Sequence, residues 1–121
     1  MRCIIVDTSS ILFGFSNHVD VFEKIEWEFP ECVALISKGV ITELEKSSKS
    51  RKQAAYAKAA LLAVERHKLE ISRSTGYVDD WIASESAKRR CLVCTNDIGL
   101  KARLKRTGIG TVSLSMNGRL R

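Results

Sequence analysis

"CLVCTND", residues 91–97, sets four residues suited to a buried strand directly before three polar ones, the last an aspartate. "RCIIVDTSS" at 2–10 does the same, an apolar run that stops at Asp7. A strand with one wet face alternates apolar and polar residues, whereas these runs are uninterrupted. They therefore predict strands covered on both faces, which is the pattern of a parallel sheet between layers of helices.

The intervening sequence supplies those helices. After strand 2–6, Thr8, Ser9 and Ser10 offer N-caps to a short helix carrying Ile11, Leu12 and Phe13. Val19, Phe22 and Ile25 recur at helical spacing within 18–29, with Trp27 and Phe29 extending the apolar surface. "CVALI" at 32–36 predicts the second strand, followed by a helix through "ITELEK" and a basic loop. Residues 52–66, rich in alanine, predict a long helix, and "LEIS" at 69–72 a short strand. A helix over 77–90 is expected to turn Tyr77, Trp81 and either Ile82 or Ala87 inward. Strand 91–95, a helix over 97–106 with Leu100 and Leu104 facing the core, and a last strand in "TVSLS" complete the alternation. The expectation is a single α/β domain over 1–121, three-layered α/β/α, around a parallel sheet of about five strands.

At 121 residues, 45% hydrophobic and 28% charged, the composition is that of a soluble globular protein able to bury its own core. Its apolar runs are too short for a membrane span or a secretory segment, so a cytoplasmic protein without a membrane partner is expected. Cys91 and Cys94 form a C-x-x-C, but in a strand positions three apart face opposite ways and share no metal. Cys3 and Cys32 lie in apolar runs, where a free thiol serves as a small hydrophobe. The net charge of +6 favours a polyanionic partner. The cations cluster, at "KSSKSRK" (46–52), "KRR" (88–90), "KARLKR" (101–106) and "RLR" (119–121).

In an open parallel sheet, ligands bind outside the carboxyl ends of the strands. Asp7 and Asp97 both leave strands at that edge, Glu43 follows the second strand, and Asp80 lies early in the helix before strand 91–95. An aspartate at such a junction also serves as a helix cap, but Thr8, Ser9, Thr95 and Asn96 already stand beside Asp7 and Asp97. Two carboxylates about 5 Å apart repel by roughly 3 kcal/mol at an effective dielectric near 20. Four together take up protons, splay apart or hold a cation. All-oxygen ligands select Mg²⁺ or Mn²⁺ over zinc. Such a site beside a basic rim suits phosphodiester hydrolysis.

"VDTSSIL", "ITELEK", "YVDDWIASESA" and "CLVCTNDIGLKARLKRTGIGTVSL" together resemble a PIN-domain nuclease over nearly the whole chain. Within that family the stretch 77–114 is most similar to the PIN proteins of small-subunit ribosomal RNA processing and their archaeal single-domain relatives. The resemblance implies that Asp7, Glu43, Asp80 and Asp97 are catalytic and hold one or two Mg²⁺ or Mn²⁺ ions. A metal-activated water would then cut RNA to leave a 5′-phosphate and a 3′-hydroxyl. It implies an auxiliary place for Asp79, and for Thr95 and Ser9 as groups that orient carboxylates or water. Asn96 receives no role. Arg51, Lys52, Lys101, Arg103, Lys105 and Arg106 are expected phosphate contacts. The partner implied is RNA, a ribosomal RNA precursor in particular, with a homodimer or a processing-complex partner also in keeping with the family. No zinc ribbon follows the last strand, so substrate choice is expected to rest on this domain or a partner. Two rivals share the fold: a toxin ribonuclease paired with an antitoxin, and a PIN module that binds RNA without cutting. A haloacid-dehalogenase phosphatase needs a second Asp two residues after the first, where Ser9 stands. A receiver pairs its acids at the end of the first strand, whereas this "DD" lies in a later helix.

Overall fold

The computed structural model describes residues 2–121. Five strands, β1 (Arg2–Val6), β2 (Cys32–Ser37), β3 (Glu70–Ser72), β4 (Leu92–Cys94) and β5 (Thr111–Val112), form one sheet in the order β3-β2-β1-β4-β5. Every pairing is parallel. The expected α/β architecture is therefore present. Six helices connect the strands: α1 (Thr8–Ser16), α2 (Val21–Glu28), α3 (Lys38–Ser47), α4 (Ala54–Arg66), α5 (Val78–Arg89) and α6 (Ile98–Arg106).

The strand order dictates where the helices go. From β1 the chain winds outward through β2 to β3, then returns to β4 and winds the other way to β5. Right-handed crossovers in opposite directions put their helices on opposite faces. Accordingly α1 packs against α2, α3 and α4, whereas α5 packs against α6. The uninterrupted apolar runs follow from this: Ile4, Ile5, Val6, Leu35, Ile36 and Val93 are wholly buried between the two helical layers. Each such side chain contributes about 1.5–3 kcal/mol by leaving water.

The reversal falls between β1 and β4. Their register, Ile4 to Leu92 and Val6 to Cys94, brings the two carboxyl ends side by side, with the Asp7 N–H donating to Cys94 O at 2.9 Å. A crevice at such a topological switch point is where open α/β sheets bind ligands. α5 lies across it, packed on both β1 and β4.

Three expectations need correcting. Cys3 is not a free hydrophobe: continuing the β1–β4 register sets it beside Cys91, Cα to Cα 4.9 Å, and the two form a disulfide. Cys32 and Cys94 are free. Secondly, 113–115 does not extend β5. Ser113 exchanges backbone hydrogen bonds with Arg121, and the Ser115 N–H donates to Arg119 O, so the chain closes a hairpin on itself while Leu114 stays in the core. Thirdly, Tyr77 is 86% exposed and Ala87 is exposed, while Ile82 and Ser86 face inward. Trp27 is likewise 78% exposed.

Candidate active site

Asp7 ends β1 and occupies the N-cap position of α1, yet its side chain makes no capping bond. It is 4% exposed. Instead its Oδ2 accepts from Ser9 Oγ at 2.7 Å and from Thr95 Oγ1 at 2.8 Å, and among the described residues no donor lands on Oδ1. A buried carboxylate held by hydroxyls rather than by a cation keeps its charge available to a further partner.

Thr95 does more than orient Asp7. Its hydroxyl oxygen also accepts the Asp97 N–H at 3.1 Å, so one wholly buried side chain fixes the carboxyl ends of both strands. Asp97 is exposed and does cap its helix, with Oδ1 accepting from Leu100 N–H at 3.0 Å. Gly99 leaves room for it, since a Cβ there would stand 3.2 Å from Asp97 Oδ1.

Glu43 reaches the crevice from the β2 side. It lies on the exposed face of α3, and Thr8 Oγ1 donates to its Oε1 at 2.5 Å. The hydroxyls of Thr8 and Ser9, expected to cap α1, thus serve two acidic side chains instead. Asn96 also gains a place that sequence reading did not assign. Its Oδ1 accepts from Ser10 Oγ at 2.7 Å and from Leu114 N–H at 3.1 Å, while its Nδ2 donates to Leu114 O at 2.8 Å. It binds the C-terminal hairpin to the rim of the crevice.

The aspartate pair on α5 divides against expectation. Asp79 is the member that shares a helix face with the buried Ile82 and Ser86. Its carboxyl is pushed above the ordinary range by partial desolvation and then by the negative charges of Asp7, Asp97 and Glu43, with Arg103 opposing. Asp80 points elsewhere: its Oδ1 accepts from Arg103 Nη1 at 2.8 Å, in a pair whose side chains are 67% and 44% exposed. Helical geometry explains the division. Asp79 is three residues before Ile82 and seven before Ser86, both wholly buried, so it shares their face, whereas Asp80 is rotated by about 100°. That i, i+3, i+7 alignment was available in the sequence.

The expected phosphate contacts lie at different places on the surface. Lys101, whose N–H donates to Asp97 O, lies one turn into α6 and is half-buried. Lys105 and Arg106 are exposed in its last turn, roughly 12–14 Å further along the axis from Asp97. Arg51 and Lys52 are exposed in the segment between α3 and α4. Arg103 is engaged by Asp80.

Oxygen donors alone line the crevice, a set suited to a hard divalent cation. Among the described residues no three His, Cys, Asp or Glu side chains are drawn into a ready-made metal cage.

Comparison with known proteins gives the chain relatives of the same fold. The chain is 32% identical over 111 residues to Ribonuclease VapC9 of Archaeoglobus fulgidus, covering 90% of this chain and 80% of that protein. It is 30% identical over 107 residues to the rRNA-processing protein FCF1 of Saccharomyces cerevisiae, of which it spans 54%. The structure of the PIN domain endonuclease Utp24 superposes with a TM-score of 0.78 at 27% identity, over 98% of this chain and 90% of that one. A domain of a functionally unknown protein from Methanocaldococcus jannaschii shares the fold at a TM-score of 0.63 and 16% identity, over 95% and 92% of the two chains. Residues 4–117 match the model of the PIN like domain, and the chain belongs to that family.

Proposed function

We propose that the protein is a Mg²⁺- or Mn²⁺-dependent endoribonuclease that acts in ribosomal RNA processing, with Asp7, Glu43, Asp79 and Asp97 as its working carboxylates. The observation that carries the reading is the buried Asp7 carboxylate at the switch point of the sheet, held on one oxygen by Ser9 and by Thr95, the same Thr95 that fixes the backbone of Asp97. Asp80, committed to Arg103, is assigned a supporting place only. No described helix is long and apolar enough to cross a membrane.

The division of labour follows from the contacts. Ser9 and Thr95 hold one oxygen of Asp7, and Thr8 holds one oxygen of Glu43, so each carboxylate is oriented while a second oxygen remains for the crevice. Asp97 splits its oxygens in the same way between its helix cap and the site. A bound divalent cation would supply neutralisation of the phosphate and a water of lowered pKa. Lys101, Lys105 and Arg106 on one side, with Arg51 and Lys52 on the other, would hold flanking phosphates and set the salt dependence of binding. Arg103 balances the charge of Asp80 and lessens the repulsion on Asp79.

A toxin-type ribonuclease with an antitoxin partner is the second reading, favoured by the 32% identity to Ribonuclease VapC9 over four-fifths of its length. One assay addresses both. Unaltered, Asp7→Asn and Asp79→Asn proteins are incubated with ribosomal RNA precursor and with messenger RNA, in Mn²⁺ or EDTA. Cleavage of the precursor at one place, lost in EDTA and in both variants, supports processing. Cleavage of many messenger RNAs supports the toxin. Cleavage that survives EDTA or Asp7→Asn rejects the mechanism.

A further inference from the structure

Tyr77 is expected to pack inward and instead stands 86% exposed at the N-cap position of α5, two residues before Asp79. A single exposed aromatic needs no explanation by itself. This one, however, sits on a fixed base. Its carbonyl accepts the Trp81 N–H at 3.0 Å, and the Gly39 N–H donates to Ser74 O at 3.1 Å. Gly39 permits that approach, because a Cβ there would come within 3.0 Å of Gly76 O. The ring therefore projects from a rigid junction between α3 and α5.

Beside it lies a cavity of about 330 Å³, lined by Thr42, Glu43, Lys46 and Tyr77 among others. Glu43 lines this cavity and also accepts from the Thr8 hydroxyl beside Asp7, so the cavity adjoins the acidic crevice. While the Thr42 hydroxyl is turned to Lys38 O, the lining joins a flat aromatic face and a cation beside Glu43. Those are the elements that hold a nucleotide of single-stranded nucleic acid: stacking for the base, positive charge for the phosphate.

We infer that Tyr77 is a stacking platform for one unpaired base of the RNA, with Lys46 gripping the neighbouring phosphate, in a subsite that fixes which strand enters the crevice. The inference rests on the nuclease reading above. A base within a duplex is stacked on its own neighbours and offers no free face, so the subsite selects single-stranded or splayed RNA. Trp27, equally aromatic and 78% exposed, ends α2 just before β2 begins, at the opposite edge of the sheet, and serves as the control.

The test measures binding of a single-stranded oligoribonucleotide bearing 2-aminopurine at successive positions, in Mg²⁺, with every protein also carrying Asp7→Asn so that cleavage does not intervene. Tyr77→Ala should weaken binding by about ten-fold or more, and Tyr77→Phe and Trp27→Ala by less than about two-fold. An abasic nucleotide at the most sensitive position should abolish the difference between the parent and Tyr77→Ala. Equal binding by Tyr77→Ala and its parent, an equal loss in Tyr77→Phe or Trp27→Ala, or no binding by the parent overturns the inference. The Tyr77 variants are also assayed for cleavage without Asp7→Asn. Tyr77-dependent binding by a chain that never cuts RNA rejects the nuclease and leaves the subsite standing. Metal-dependent cleavage with an unchanged KM in Tyr77→Ala rejects the subsite and leaves the nuclease.

Discussion

Thr95 Oγ1 donates to Asp7 Oδ2 at 2.8 Å while accepting the Asp97 N–H, and Thr95 is wholly buried. One hydroxyl thus sets both the rotamer of the central carboxylate and the path of the chain that bears its neighbour. Thr95→Val keeps the volume and removes both bonds. Losing such an orienting partner should lower kcat about 10–100-fold at saturating metal. KM for RNA should change little, because no phosphate contact is touched. Ser9→Ala should cost less, since Thr95 still holds the same oxygen. An unaltered kcat in Thr95→Val would show that Asp7 needs no such support.

The two aspartates at the start of α5 offer a sharper contrast. Asp79 carries the repulsion of Asp7, Asp97 and Glu43, and Asp80 accepts from Arg103. Asp79→Asn should reduce cleavage by at least about a hundred-fold, since charge neutralisation at the phosphate is worth several kcal/mol. Asp80→Asn breaks only an exposed pair, which contributes at most about 1 kcal/mol, and should leave kcat within a few-fold. Steady-state cleavage by the two variants side by side gives the answer. The reverse ranking would return the role to Asp80.

Much of this fold could be read from residues 2–6 and 91–97, because strands buried on both faces leave an unbroken apolar run. The parallel sheet followed from those runs together with the helices predicted between them. Asp79 was given only an auxiliary place on the strength of the neighbouring residue type, whereas the helical phase set by Ile82 and Ser86 is what favours it in the reading proposed above. Thr8 and Asn96 were harder. A hydroxyl or amide after a strand caps a helix in most settings, and only the tertiary approach of α3 and of the C-terminal hairpin diverts these two. The Cys3–Cys91 pairing was hidden for a related reason: it depends on β4 lying beside β1, which strand order, not local pattern, decides.

That pairing predicts a thiol count. Denatured without reductant, the chain should offer two reactive thiols, those of Cys32 and Cys94, and after reduction all four. In the folded protein the two differ. Burial pushes the Cys94 thiol up to about 12, so alkylation at mild alkaline pH should pass it by. Cys32 is half-buried, its thiol raised by desolvation and by Glu31 against Arg2, and should react slowly but measurably. Mass spectrometry after iodoacetamide treatment reads both. Four thiols in the unreduced denatured chain would refute the disulfide.

Asp79 also links pH, metal and stability. Its carboxyl lies above the unfolded value, so between the two values the folded chain binds more protons than the unfolded one. Stability then falls as pH rises through that window, and the whole penalty remains above it. A divalent cation in the crevice opposes the repulsion from Asp7, Asp97 and Glu43 that causes much of the shift. Thermal unfolding in EDTA should therefore show a lower Tm at neutral pH than at the acid edge of the window, as far as this group is concerned. Mn²⁺ should raise the neutral value, by an amount that grows with its concentration. Asp79→Asn removes the charge without removing the volume. It should raise Tm in EDTA at neutral pH and blunt the response to Mn²⁺, while leaving the acid value nearly unchanged. The opposite sign in EDTA, a less stable Asp79→Asn protein, would mean that Asp79 is held by a favourable contact and is not under repulsion.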